Sequence, residues 1–457
     1  MKKYDVAIIG AGISGIMLAY RLTLRDPAKK VVLIDKGKTL EKRSCPLVEK
    51  TTSKCMECQS CSIMNGFAGA GAFSDGKFII STEYGGDFAS EVGNEVALHY
   101  MEMAEEIMAK HGGEQDSYTP NDMLINLCSN NDLILKKGRV KHFGTDKNLI
   151  IMSSILEELG DRCTLLSDAN VIDVDAIERT IKIENNENIY ADIIVFAVGR
   201  SGNSFLQKWC ERNDVKTTNR NVDIGVRVEL KNSVWEKISA IAYDPKISYI
   251  SKKYKDETRM FCFNPGGHVV VENTFGVKTV NGHAFADPKL QSDNCNFALL
   301  SSIKFTSPFN NPTEYIRNLV SCSNIISGDM VIVQRFGDLI SGQRTTIDKL
   351  YNSSIKPTLD AYPGDLSLCL PKRQLDNIIE TIYKLDEIAP GTAANDTLLY
   401  GIEGKYYSSK PKMEEFQLSG LPNIYACGDG SGVTRSLAQA AANGLYLADY
   451  ITDANKF

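Results

Sequence analysis

The chain has 457 residues, 43% of them hydrophobic, and sets 51 Lys and Arg against 57 Asp and Glu for a net charge of −6. That is enough apolar material for a large core divided over two or three domains. Charges of both signs are interspersed, so no field gathers nucleic acid or an anionic membrane surface, and partners of those kinds are excluded.

Two lysines ahead of an apolar run give the opening, MKKYDVAIIGAGISGIMLAYRL, the layout of a secretory leader. Tyr4 and Asp5 interrupt it, glycines and a serine punctuate it, and no small-residue cleavage pattern follows. Nothing else approaches the roughly 18 uninterrupted apolar residues of a membrane span. A cytoplasmic location is expected. There twelve cysteines stay reduced, so a tight cluster of them points to metal binding or catalysis rather than to a disulfide scaffold.

In chain order, Tyr4 to Ile9 reads as a strand, the pattern through Leu24 as an amphipathic helix and Val31 to Asp35 as a second strand, which makes a βαβ unit. The segment CPLVEKTTSKCMECQSC then brings Cys45, Cys55, Cys58 and Cys61 close together, and GFAGAGAFSDGK (66 to 77) is a loop whose glycines allow close backbone approach. Amphipathic helices are expected over Asp87 to Lys110 and Gly144 to Gly160. Short alternating segments between Cys163 and Gly199 read as a β-meander whose last strand, ADIIVFAVG, is apolar throughout and therefore central. VDIGVRVEL, MFCFN and HVVVEN are strand-like with no helix between them, which suggests a second, antiparallel-sheet domain. The final stretch from Leu421 repeats the strand, glycine turn and helix of the start, and so returns to the first domain.

Gly10-x-Gly12-x-x-Gly15 follows a strand and opens a helix, and Asp35 ends the second strand twenty residues beyond Gly15. That is the full fingerprint of a dinucleotide-binding unit. The glycines let the chain turn tightly and approach a pyrophosphate, the helix N-terminus offers free N–H groups, and the carboxylate takes ribose hydroxyls. Ile13, Ser14 and Lys36 sit on the same turns and join the cofactor-binding candidates.

Two further stretches, Ala191 to Gly202 and Asn423 to Gly444, resemble the remaining motifs of FAD-binding proteins of the glutathione-reductase structural class. In that class the residue matching Asp429 bonds the ribityl chain, and the helix after it points its N-terminus at the flavin, so the resemblance implies FAD rather than NAD. With no second glycine fingerprint after a strand, a separate NAD(P)H domain is not expected. GFAGAGAFSDGK, HFGTD, DIGVRVE, FCFNPGG, VQRFGD and GDGSGVTRSLAQA, spread over most of the chain, together resemble a family of bacterial and archaeal FAD-dependent dehydrogenases. The resemblance implies that Gly69, Ala70, Gly71, Ser74, Asp75, Gly76 and Lys77 lie near the flavin ring, with Val171, Gly199, Gly428, Asp429, Thr434, Arg435 and Ser436 completing the FAD set. Many relatives have glycine where this chain has Ala68, and a glycine pair in place of Arg435 and Ser436, which makes Arg435 a candidate to reach the flavin or a substrate anion.

The implied fold is α/β: a discontinuous Rossmann-like FAD-binding domain (1–86, 144–214 and 411–457), a helical insertion (87–143) and an inserted α+β substrate domain with an antiparallel sheet (215–410). Three thiolates from one loop and a fourth from Cys45-Pro46 have the composition of a [4Fe-4S] ligand set, although in ferredoxins the Cys-Pro follows the triplet. Zinc and a redox dithiol are the alternatives, and a loop of reduced thiols the plain one. On the substrate side, His268, Arg227, Arg335, Asp338 and Arg344 are polar residues in apolar surroundings, with His268 favoured as proton donor and the arginines suited to a carboxylate or carbonyl. The expected activity is hydride transfer between FAD and a small organic substrate, with electrons relayed by the cluster from a ferredoxin or flavodoxin. A flavin electron carrier, a redox sensor or a thiol–disulfide flavoenzyme is the competing reading.

Overall fold

The computed structural model describes residues 2–454 apart from 47–48, 50, 53–55, 57, 59, 75, 114–116, 186, 220, 275, 286, 304, 306–308, 310 and 406. The chain is mixed α/β and forms two compact units. Unit 1 comprises Met1–Ser117, Lys141–Asn219 and Ser408–Phe457, and unit 2 comprises Tyr118–Val140 and Arg220–Tyr407. Residues 87–143, expected as one helical insertion, are therefore shared between the units. They also contain strands at Ser117–Tyr118, Leu133–Lys136 and Arg139–His142, because the alternating Leu133 and Leu135 bury one face while the backbone pairs with Lys246–Ile250. No described helix is long and apolar enough to cross a membrane.

Unit 1 is built on a parallel run of strands in the order Ile424–Ala426, Asn188–Phe196, Lys2–Ile9, Val31–Ile34 and Thr164–Leu166. Val6 to Ile9 and Val31 to Ile34 are buried at every position, the pattern of strands covered on both faces. Helices Ile13–Arg25 and Leu437–Ala454 pack on the face that carries Val6, Ile8 and Leu33. The opposite face carries Ala7, Ile9, Val32 and Ile34 and is covered by helix Asn203–Arg212, whose buried Trp209 donates its indole N–H to the Val174 carbonyl at 2.7 Å. The meander leading into the central strand runs antiparallel through Val171–Asp175, Thr180–Ile183 and Asn188–Phe196.

The helix expected over Asp87 to Lys110 is broken at Gly93, whose φ of +88° starts a new helix, Asn94–Lys110, after Phe88–Val92. Residue 68 is an alanine at φ +68°, buried, with its N–H donating to the Ala11 carbonyl at 2.8 Å. A side chain in this left-handed region costs about 1 kcal/mol relative to glycine. The cost is met because Ala68 lays the glycine-rich segment across the first glycine turn.

Unit 2 centres on an eight-stranded sheet, antiparallel except for the pairing of Ile332–Arg335 with Tyr362–Pro363. Its middle strand, Val222–Lys231, lies between Leu398–Lys405 and Asn294–Ile303. Val222, Ile224, Val226, Val228 and Leu230 join the apolar core with Leu375, Ile378, Ile382 and Leu385 of helix Lys372–Ile388. Alternation would put Asp223, Arg227 and Glu229 in water, yet all three are fully buried. Each is matched: Asp223 by Arg259, Tyr407 and Ser302, Arg227 by Glu403, and Glu229 by Tyr400, Thr358 and Asn294. Lys405 adds a second cation 3.2 Å from Glu403.

Two stability outcomes follow from these packings. Ala68→Gly should stabilise unit 1 by up to about 1 kcal/mol through relief of the left-handed alanine, read as a higher thermal midpoint. Glu403→Ala strands the Arg227 guanidinium and should destabilise by about 3 kcal/mol or more, whereas an exposed ion-pair partner such as Asp453 should change the midpoint little when neutralised.

Candidate functional site

A cavity of about 620 Å³ in unit 1 is lined where several glycine-containing turns meet. The first turn is formed by the fingerprint, and its glycines do different work. A Cβ on Gly10, at φ +112°, would lie 2.2 Å from the Ala197 carbonyl oxygen, and one on Gly15 would lie 2.0 Å from the Gly10 oxygen, so backbone packs on backbone at both. Gly12 is different: its backbone is ordinary extended chain (φ −74°), and a Cβ there would meet nothing within 4 Å. Gly12 lines the cavity. Helix Ile13–Arg25 begins at it with no side-chain cap and no acidic residue in its first turn, which leaves free N–H groups and the positive end of the helix dipole for an anion.

Asp35 lies along the same lining, its carboxylate held by two backbone donors: Ala11 N–H to Oδ2 at 2.9 Å and Gly37 N–H to Oδ1 at 2.8 Å. Each oxygen keeps a second acceptor position. Further along, the Arg200 Nε lies 2.9 Å from Asp429 Oδ2. Burial raises the Asp429 pKa above the ordinary carboxylate value, and Arg200 and then Arg435 oppose that shift. Arg435 donates from Nη2 to Asp87 at 3.2 Å, and its own backbone N–H binds the Gly85 carbonyl. Ser436 Oγ accepts from Gln439 N–H at the start of the terminal helix.

Beneath the 62–69 loop, buried Arg43 donates to four carbonyls: Ser62 at 2.7 Å, Ile63 at 2.7 Å, Phe67 at 2.6 Å and Gly69 at 2.8 Å. Its guanidinium also stacks 4.6 Å from the Phe73 ring centroid. Burial lowers its pKa to about 10, against the pull of Asp35 and Cys61, so it stays cationic at neutral pH. The loop that lines the cavity is thus gathered around one cation.

Of the cofactor-binding candidates, Gly10, Gly12, Ile13, Ser14, Asp35, Lys36, Gly69, Ala70, Gly71, Ser74, Val171, Gly199, Asp429, Arg435 and Ser436 line this one cavity. Gly15 is pressed behind Gly10, and a Cβ on Gly428 would lie 2.3 Å from Ser14 Oγ. Thr434 is buried and bridges Gly86. Gly76 precedes the strand that begins at Lys77, and Asp75 lies outside the described residues. Sequence reasoning missed Arg200, Asn65 and Phe205 on the lining. For Arg200 a signal existed, its place directly after the glycine of the turn that follows the central strand.

The cysteine segment does not assemble a metal centre among the described residues: no group of three or more candidate ligands comes together there. Cys45 and Cys61 are half-buried and Cys58 is exposed, and Cys55 lies outside the described residues.

The remaining catalytic candidates belong to unit 2. Arg227 is fully buried, with donors directed at the Cys262 carbonyl, Asn281 and Glu403, which makes it a member of the sheet interior rather than a free anion receptor. Arg335 is engaged by Asp396 at 2.5 and 3.0 Å, and Asp338 by Thr345 and Lys349. Arg344 is exposed. His268 Nε2 lies 2.9 Å from the Leu290 carbonyl, across the hairpin from His283.

The chain is similar to several known proteins at low sequence identity. A protein from Clostridium beijerinckii (strain ATCC 51743 / NCIMB 8052), described as uncharacterized, is 26% identical over 475 residues, covering 98% of this chain and 80% of that one. L-proline dehydrogenase from P. horikoshii is 13% identical with a TM-score of 0.42, covering 99% of this chain and 94% of that one. Glycine oxidase from Geobacillus kaustophilus is 10% identical with a TM-score of 0.42, covering 99% and 95%. Similarity at that level says nothing of this chain's chemistry. Residues 221–406 match the family model described as FAD-dependent protein, C-terminal domain-like.

Proposed function

We propose that the protein is an FAD-dependent oxidoreductase that holds its cofactor in the unit 1 cavity and exchanges a hydride with a small organic substrate. The observation that carries this reading is Gly12: a bare, unstrained glycine at an uncapped helix N-terminus, opening on the cavity that also presents the Asp35 and Asp429 carboxylates. The match of residues 221–406 to a model of FAD-dependent proteins supports FAD over other dinucleotides.

The residues fit the group. The N–H groups at the start of helix Ile13–Arg25 would hold the pyrophosphate, with the absent Cβ of Gly12 allowing close approach. Asp35, fixed by two N–H donors, would accept ribose hydroxyls on its remaining lone pairs, and Asp429 would accept those of the ribityl chain. Flavin supplies a two-electron hydride carrier when bound. The protein's own part is to keep the loop of residues 62–69 closed over Arg43 and to bring a cation, Arg435, to the lining. His268 is kept as the proposed proton donor to substrate, since among the unit 2 candidates it is the one imidazole and it is partly exposed. A metal held by Cys45, Cys55, Cys58 and Cys61, an iron–sulfur cluster or zinc, is a separate proposal that rests on the cysteine spacing alone.

Purified protein should carry flavin absorption at one equivalent per chain. Gly12→Ala should weaken FAD binding about 100-fold, roughly 2.7 kcal/mol, with an unchanged circular dichroism spectrum, because the added Cβ opens on the cavity and meets no protein atom within 4 Å. Folded wild-type protein that neither carries nor takes up flavin would overturn the reading. Iron and zinc analysis of the same anaerobic preparation tests the cysteine cluster separately.

A further inference from the structure

The Arg200–Asp429 pair is produced by sheet topology. Strands Asn188–Phe196 and Ile424–Ala426 are parallel neighbours with Phe196 opposite Ala426. Each is followed by a glycine at positive φ, Gly199 at +62° and Gly428 at +74°, and then by a single turn of 3-10 helix, Arg200–Gly202 or Asp429–Ser431. The two turns touch: a Cβ on Gly430 would lie 2.6 Å from the Gly199 carbonyl oxygen. Asn203 clamps the second turn by donating to the Gly430 carbonyl at 2.8 Å. The backbone of Asp429 is thus fixed, and its carboxylate receives Arg200 Nε at 2.9 Å on the cavity lining. The cation is the more exposed partner, with 51% of its side chain accessible against 28% for the aspartate.

Resting on the FAD reading, we propose that Arg200 is a positioning residue for the cofactor, one that holds the Asp429 carboxylate charged and directed into the cavity so that it can accept hydrogen bonds from the ribityl hydroxyls. A protonated carboxyl loses charge-assisted acceptance, and the partial burial of Asp429 favours protonation. The other cation acting on it is Arg435, which is itself engaged by Asp87 at 3.2 Å. Asp35 and Lys36 lie elsewhere on the same lining. Helix Asn203–Arg212, packed against the turn, faces it with the neutral Asn203, and the opening helix does so with the neutral Ser14. Arg200 is therefore the principal charge favouring the ionised form of Asp429.

The sign follows. FAD affinity falls as pH drops through the Asp429 pKa, and removing Arg200 raises that pKa, so the acid limb of the binding profile moves to higher pH. The test is equilibrium titration of FAD into flavin-stripped protein from about pH 5 to pH 8. Arg200→Gln should move the limb up by about one pH unit, an affinity roughly tenfold below wild type on the limb, and should agree with wild type within about twofold at the alkaline end. Arg200→Lys should restore the limb, and Asp429→Asn should remove it. An Arg200→Gln profile that keeps the wild-type limb, or that is lowered by one factor at every pH, would overturn the proposal. Wild-type protein that binds no FAD at any pH would instead sink the FAD reading itself, so the two failures are distinct.

Discussion

Backbone resting on backbone is what the candidate site depends on. A Cβ at Gly10, Gly15 or Gly444 would lie 2.2 Å or less from a carbonyl oxygen of Ala197, Gly10 or Ser14 respectively. These contacts dock the opening helix on the first strand, the first strand's turn on the central strand's end, and the terminal helix on the opening one. Because main chains rather than side chains set these spacings, the glycine turns converge tightly enough to enclose one cavity and to leave Gly12 open on it. The later chain returns to the site for the same reason. The close approach at Gly444 fixes where the terminal helix starts, and hence where Asp429 and Arg435 arrive.

Charge inside this protein is handled by local matching. Arg43 has its donors filled by carbonyls of the loop it closes, and a cation so placed organises a glycine-rich segment that has few side chains of its own to pack. In unit 2, Asp223, Arg227 and Glu229 occupy alternate positions of one strand and are all buried. Their partners come from the strands on either side, among them Glu403, Tyr400, Ser302 and Asn294, and from Arg259, Asn281, Thr358 and Tyr407 beyond them. Buried pairs of this kind add little net stability over apolar residues of similar volume, but losing one member is costly. The arrangement specifies which strand lies beside which more than it deepens the fold.

Much of the architecture was legible from local pattern. Uninterrupted apolar runs marked the central strands of unit 1, and alternation marked Val222 to Leu230, because those periodicities reflect which faces are covered. Pattern failed where one residue's conformation or partner outweighed its neighbours. Gly93 breaks a continuous amphipathic helix by adopting positive φ. The strand Leu133–Lys136 lay hidden among helices because its pairing partner is more than a hundred residues away. Arg227 looked available for substrate in sequence and is enclosed by Glu403 and Asn281 in the structure.

By itself the sequence determined the βαβ unit, the glycine fingerprint with Asp35 at its proper remove, and the antiparallel character of the middle of the chain, since each is written in residues close to one another or in a strict period. Only the tertiary structure decided which residues share the cavity, that Arg200 meets Asp429, and that the polar face of the unit 2 strand is interior. Those outcomes turn on strand order and on contacts between segments far apart in the chain. No local preference encodes the partner of a buried charge, and a charged side chain has the same sequence signature whether it ends in water or in a salt bridge.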